Sequence, residues 1–187
     1  MSKFFYNAEN DKEERAKTIM QKFRDVHIER VESMKNLMQI PQENEITFIW
    51  SLNSFNAFTF IPFCIAHFGV IEELFISTYS INPKIINELS VEFDNGKIRK
   101  IEIFVSETLQ YRNRQTDEIL RATSDKRCNF NFRYSWNHSK VACARCGNDY
   151  FVFEGSGNWS ENARYEQYCL INNKNVYEFR KEIIENG

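Results

Sequence analysis

Short apolar runs alternate with helical patterns over the first 125 residues, and no other feature limits the fold of this chain as much. Residues 46–52, Ile-Thr-Phe-Ile-Trp-Ser-Leu, are almost continuously apolar. A strand covered on both faces reads this way. A second strand is predicted over 71–79, ending in Ser77-Thr78-Tyr79, and a third over 98–105. Between them the spacing predicts helices over 57–68, interrupted by Pro62, and over roughly 83–92, opened by Asn82-Pro83. Asn95-Gly96 turns the chain, a further helix is expected over 115–123, and residues 128–134 alternate as a strand does. Two strands follow, 138–145 and 149–154, joined through a tight turn at Cys146-Gly-Asn-Asp149. A last strand over 165–171 and an amphipathic helix over 174–185 close the chain. Strand–helix alternation implies an α/β fold. The expectation is a mixed, largely parallel β-sheet flanked by helices.

The N-terminal segment reads differently. Ala16, Ile19, Met20, Phe23, Val26, Val31, Met34, Leu37 and Met38 recur at three- and four-residue spacing, which predicts one long helix over 10–39, ended by Pro41. The organisation expected is a helical arm over 1–44 and one α/β domain over 45–187. With 42% hydrophobic and 27% charged residues, a largely disordered chain is excluded. The longest apolar run, Ala57 to Val70, is broken by Thr59, Pro62 and His67, well short of the roughly 20 residues that span a bilayer. Early acidic residues (Glu9, Asp11, Glu13, Glu14) do not suit a signal peptide, and five cysteines form no disulfide framework. The expectation is a cytoplasmic protein with reduced thiols and no membrane partner.

The chemistry concentrates in His138-Ser139-Lys140 and Gly155-Ser156-Gly157-Asn158. On extended strands, alternate side chains share a face. His138 and Lys140 are therefore expected to point one way, and a returning strand brings Ser156 and Asn158 near them. An ammonium, a hydroxyl and an amide suit a phosphate, and an imidazole can attack or move a proton. Gly155 and Gly157 let backbone approach closely.

This pattern resembles the "HKD" signature of the phospholipase D superfamily: His-x-Lys, an Asp five residues on, then Gly-Ser-x-Asn. The matching residues are His138, Lys140, Gly155, Ser156 and Asn158. Arg145 stands where that family has Asp, and Asp149 comes four residues late. It is a displaced motif Asp or a plain turn residue. The resemblance implies a phospholipase D-like fold over roughly 45–185. It also implies phosphodiester hydrolysis without a metal or cofactor. His138 is the implied nucleophile, forming a phosphohistidine. Lys140 and Asn158 are implied phosphate binders, supported by Ser156. Glu166 stands where small members of that family place a carboxylate that orients the His; otherwise it is a surface-strand residue. The sequence carries one copy of the motif, and His27 and His67 lie in helical patterns. A complete site then needs two chains, so the resemblance implies a homodimer sharing one active site.

Net charge is −2 overall, but residues 97–145 hold eleven basic and five acidic side chains. A basic block inside an acidic protein can line a groove for nucleic acid. Arg112, Arg114, Arg121, Lys126, Arg127 and Arg133 are candidate backbone contacts, with Tyr111, Tyr134 and Trp136 as stacking surfaces. Arg133 is taken into the substrate-binding set. The other reading of these residues is an ordinary solvated surface and core aromatics. Cys143-Ala-Arg-Cys146 resembles half a zinc ribbon, but no second pair completes four ligands. The function expected is a homodimeric, metal-independent nuclease. A nucleic-acid-binding or assembly module without turnover is the alternative, and a lipid phosphodiesterase the third.

Overall fold

The computed structural model describes residues 23–31, 40–51, 56–160 and 165–186. Eight strands form one sheet: β1 (Asp25–Val31), β2 (Glu45–Ser51), β3 (Glu73–Thr78), β4 (Ile101–Ser106), β5 (Phe130–Ser135), β6 (Lys140–Cys146), β7 (Asp149–Gly155) and β8 (Gln167–Asn172). Their order across the sheet is β1-β2-β8-β7-β6-β3-β4-β5.

The sheet is mixed, and the largely parallel expectation needs correcting. Three pairings are parallel, β1–β2, β3–β4 and β4–β5. The other four, β2–β8, β3–β6, β6–β7 and β7–β8, are antiparallel. The cause is the return of the chain. Gly147, at φ +61°, closes the β6–β7 turn with Cys146 paired to Asp149. That turn and the β7–β8 return insert an antiparallel meander between β2 and β3. A tight connection permits no other orientation.

The long N-terminal helix also needs correcting. Residues 25–31 are β1, paired along its length with β2 from Asp25↔Glu45 to Val31↔Ser51. The rest of that predicted helix lies outside the described residues. Val26 and Ile28 alternate with His27 and Glu29, and β-branched side chains favour the extended backbone. A period of two and a period of 3.6 share several positions in so short a window, and the available sheet edge selects the strand.

Among the described residues, five helices flank the sheet: α1 (Phe60–Phe68), α2 (Pro83–Asp94), α3 (Leu109–Arg112), α4 (Arg114–Asp125) and α5 (Lys174–Asn186). A 3-10 turn, Ala57–Thr59, leads into α1, and Asn56 caps it by accepting from Phe58 N at 3.0 Å. Pro62 sits in the first turn of α1, where its missing N–H costs no helical bond. Asn82, Asn113 and Asn173 cap α2, α4 and α5 by accepting from the N–H of Ile85, Thr116 and Val176.

Phe60, Ile61, Ile85, Leu89 and Leu120 bury one face of the sheet, packing on Leu74, Ile76, Ile103, Ala142 and Phe153. The other face is covered by α5, whose Tyr177 and Ile184 pack on Phe75, Phe104, Cys143 and Val152. Glu73, at the start of β3, ties that helix down. It accepts from Tyr177 Oη at 3.2 Å and Lys181 Nζ at 3.4 Å, and pairs with Arg145 Nε at 3.6 Å.

Candidate functional site

The pairing register brings the chemistry to one edge of the sheet. Parallel strands β3, β4 and β5 end there at Thr78, Ser106 and Ser135. Antiparallel β6 starts there with Lys140 opposite Thr78. The same edge holds the end of β7 at Gly155 and the start of β8 at Gln167, opposite Trp50 of β2. Open α/β sheets place ligands outside the carboxyl ends of their parallel strands. His138, Lys140, Ser156, Asn158 and Glu166 all belong to this edge.

His138 precedes β6 rather than lying in it, so strand alternation does not set its direction. A loop does. Asn137 Oδ1 accepts from Ser139 N at 3.1 Å and Ser139 Oγ at 3.2 Å, while Asn137 N donates to Ser135 O at 2.9 Å. Ser77 of β3 hydrogen-bonds Ser139 through the two hydroxyls. These bonds fix both neighbours of His138 and leave its ring exposed. The ring lies 4.5 Å from that of Tyr79, at 45°. Tyr79 is held from outside by Arg112, which donates to its hydroxyl at 2.8 Å.

Lys140 reaches back from the strand. Its Nζ stands 3.3 Å from His138 Nδ1 and donates to the His138 carbonyl at 3.0 Å. Nδ1 is therefore the ring nitrogen on the side of the ammonium, and Nε2 is the one turned away from it. Burial lowers the Lys140 pKa below the ordinary lysine value, and the nearby Glu166 and Tyr79 oppose that shift.

The second half of the edge is built around Glu166, a carboxylate only 8% exposed. Its backbone is clamped to Ser51 at the end of β2: Glu166 N donates to Ser51 Oγ at 2.8 Å and Ser51 N to Glu166 O at 2.9 Å. Ser156 Oγ donates to the Glu166 carboxylate and accepts from Gln167 N at 3.1 Å. The structure thus pairs Glu166 with Ser156, while its field reaches Lys140. Gly155 owes its identity to packing, because a Cβ there would run into the Gln167 carbonyl oxygen and the Tyr168 ring. Gly157 is buried and Asn158 half-buried.

The two halves are locked by Trp159, which is fully buried. Trp159 N donates to Ser80 O, and Asn82 N to Trp159 O, both at 3.1 Å. Ser80 and Ser160 hydroxyls meet at 2.9 Å. The segment after β7, carrying Ser156 and Asn158, is thereby held against the segment after β3, carrying Tyr79.

Three sequence-selected residues are not brought to this group. Arg133 lies on the α5 face, stacked on Phe104 at 3.8 Å and donating to the Ile184 carbonyl. Asp149 sits at the opposite end of β7, where Asn172 Nδ2 donates to it at 2.6 Å. His67 lies near the end of α1 against Phe63 O. Cys143 and Cys146 face opposite sides of the sheet, so they form no ligand pair. Of the basic block, Arg121 pairs with Asp117 at 3.0 Å and Arg127 with Asp94 at 2.6 Å. Sequence reasoning missed Tyr79 and Ser51, and it named Arg112 only as a candidate backbone contact. Their one signal was position, since Tyr79 and Ser51 terminate strands on the edge where ligands collect.

No family model matches the sequence, and no curated protein is similar to it. Solved structures do share its fold. Polyphosphate kinase from Porphyromonas gingivalis superposes with a TM-score of 0.56 at 15% identity. The match covers 75% of this chain and 26% of the kinase. TrmBL2, an archaeal chromatin protein whose structure shows a mode of DNA binding, superposes with a TM-score of 0.50 at 16% identity, over 81% of this chain and 54% of its own. This chain thus spans about a quarter of one and half of the other. At these identities the likeness concerns the fold.

Proposed function

We propose that this protein is a phosphodiesterase whose active group is His138, resembling a single-motif member of the phospholipase D superfamily, and that it cleaves nucleic acid as a homodimer. The observation that carries the reading is the contact of Lys140 Nζ with His138 Nδ1 at the carboxyl edge of the sheet. It leaves Nε2 as the outward nitrogen and supplies positive charge beside it. In the neutral tautomer with its proton on Nδ1, Nε2 carries the free lone pair and attacks phosphorus; the P–N bond forms as the P–O bond to the leaving group breaks. A second imidazolium, from His138 of another copy, gives its proton to the leaving oxygen. Water then attacks phosphorus and gives a proton to the second imidazole, which becomes imidazolium again, while the P–N bond breaks and frees His138. Lys140, Ser156 and Asn158 hold the non-bridging oxygens, and Glu166 orients Ser156.

The fold neighbours support a phosphate-chain ligand: one is named a polyphosphate kinase and the other is described as binding DNA. The test is cleavage of single- and double-stranded DNA and RNA in EDTA, beside His138→Ala. The expected result is cleavage by the wild type alone. Equal activity in the variant sinks the mechanism.

A second reading is a nucleic-acid-binding module on the same fold. It is favoured by Glu166, which bonds Ser156 and not His138, and by Asp149, which the motif would place near the site. Trapping of labelled substrate under an alkaline denaturing quench, in which a P–N bond survives, separates the two. Label on His138 identifies the enzyme, and tight binding without label identifies the binder.

A further inference from the structure

A cleft of about 310 Å³ opens on the α5 side of His138, away from the sheet face that carries Lys140. That volume falls at the lower end of ordinary small-molecule sites, roughly 300–1,000 Å³. We propose that it is the subsite for a nucleobase, the one attached to the phosphate that His138 engages. The inference deepens the reading above and rests on it for the position of the phosphate.

Three observations specify the ligand. Trp136 forms one wall and is 86% exposed. An indole this open at the mouth of a cleft offers a face on which a planar ring can stack, and every base has such a face. The floor is apolar, formed by Phe104, Val141 and Ile184. A base needs that contact surface, and a bare phosphate or sugar does not. Polar groups then converge from two sides. Ser135 stands at the end of β5, and Arg180 reaches in from α5. Arg180 Nη2 pairs with Glu154 at 2.7 Å, and the side chain remains 35% exposed. Its guanidinium and the Ser135 hydroxyl are donors that a keto oxygen or ring nitrogen on a base edge can accept from. A lipid chain would fill the floor but would use neither.

The geometry also explains the neighbours of His138. Asn137 and Ser139 line the cleft, and their mutual hydrogen bonds hold the loop on which His138 sits. One loop therefore places the phosphate group and the base wall at a set separation, as recognition of a nucleotide requires.

The experiment compares thymidine, thymidine 5′-monophosphate and ribose 5-phosphate by calorimetry, with tryptophan fluorescence as a second readout, on wild type, Trp136→Ala, Trp136→Phe and His138→Ala. The expected result is that the nucleotide binds roughly tenfold tighter than the sugar phosphate. Trp136→Ala should bring the nucleotide down to the affinity of the sugar phosphate, and Trp136→Phe should restore part of the difference. Equal affinity of wild type for nucleotide and sugar phosphate overturns the base subsite and leaves the phosphate site standing. Thymidine binding that persists in His138→Ala, with no added affinity from phosphate in the wild type, supports the base subsite and overturns the phosphate reading. Absence of binding by both nucleoside and nucleotide overturns the base subsite.

Discussion

Lys140 is the cation of the proposed phosphate site, and its protonation sets when that charge is present. Burial lowers its pKa below the usual 10.5, with Glu166 and Tyr79 acting in the other direction. The sign is definite: the ammonium loses its proton at a lower pH than a free lysine, so phosphate affinity should decline on an alkaline limb that begins below the ordinary lysine range. A guanidinium stays charged above pH ~12. Lys140→Arg should therefore carry phosphate binding to higher pH, although its different shape weakens binding at neutral pH. Calorimetric affinity against pH checks this, and superimposable limbs would show that another group titrates. Ser156 is the other informative residue. In Ser156→Ala the Glu166 carboxylate keeps its burial and loses its side-chain donor. A buried acceptor left in that state costs about 1–3 kcal/mol. Urea denaturation should register that loss, and Ser156→Thr should recover most of it. The proximity of Lys140 to His138 was legible in the sequence because short spacing along a chain survives folding. Tyr79 and Ser51 were not, because nothing local marks a residue at a strand's end as a neighbour of a loop 59 or 115 positions away.

At the scale of elements, the site depends on segments that leave the sheet and are tied together above it. Trp159 is the tie between the segments after β7 and β3. Trp159→Ala removes a fully buried ring that packs edge-on against Phe58 at 6.4 Å. Such truncations cost about 3–5 kcal/mol, and here the loss falls on the loops that hold Ser156 and Tyr79. The expected outcome is lower stability together with a weaker phosphate site, whereas Val91→Ala, on an exposed helix face, should change neither. The α5 anchor carries a pH signature. Burial by itself would raise the Glu73 pKa, but Lys181, Arg145 and the Tyr177 hydroxyl outweigh it and hold the carboxyl below its usual 4.5. A carboxyl depressed in the folded state adds stability above its unfolded pKa and loses it as pH falls through the folded one. Stability should therefore drop as acid is added below about pH 4.5, and Glu73→Gln should flatten that part of the profile. Thermal unfolding from pH 3 to 6 measures it. Helix positions were readable because Asn caps, Pro83 and apolar spacing act locally. Strand direction was not. Whether β6 runs with β3 or against it is decided by where the β6–β7–β8 meander inserts, a contact between segments far apart in sequence. The same limit misplaced 25–31, whose β-branched residues serve helix or strand until β2 offers its edge.

For the whole molecule, the central question is how many chains make one site. One edge of one sheet presents one His138, while the proposed reaction uses two imidazoles, one to bond phosphorus and one to protonate the leaving oxygen. A closed two-fold pair supplies both from one gene product, because an isologous interface places the same residue on each side of the axis. A dimer would have twice the 22.3 kDa of the chain, and light scattering would show it. Mass alone does not establish a shared site, since two copies can associate far from it. Subunit mixing does. If the imidazoles cooperate across the axis, every mixed pair of wild type with His138→Ala lacks one of the two groups. With ninefold excess of the variant and free exchange, a wild-type chain meets another wild-type chain about one time in ten, so activity per wild-type chain should fall about tenfold. A chain that completes its site alone would keep full activity at any ratio. The same mixture made with Trp136→Ala separates the functions, because those pairs retain both imidazoles and one base wall; their activity per wild-type chain should fall far less than with His138→Ala.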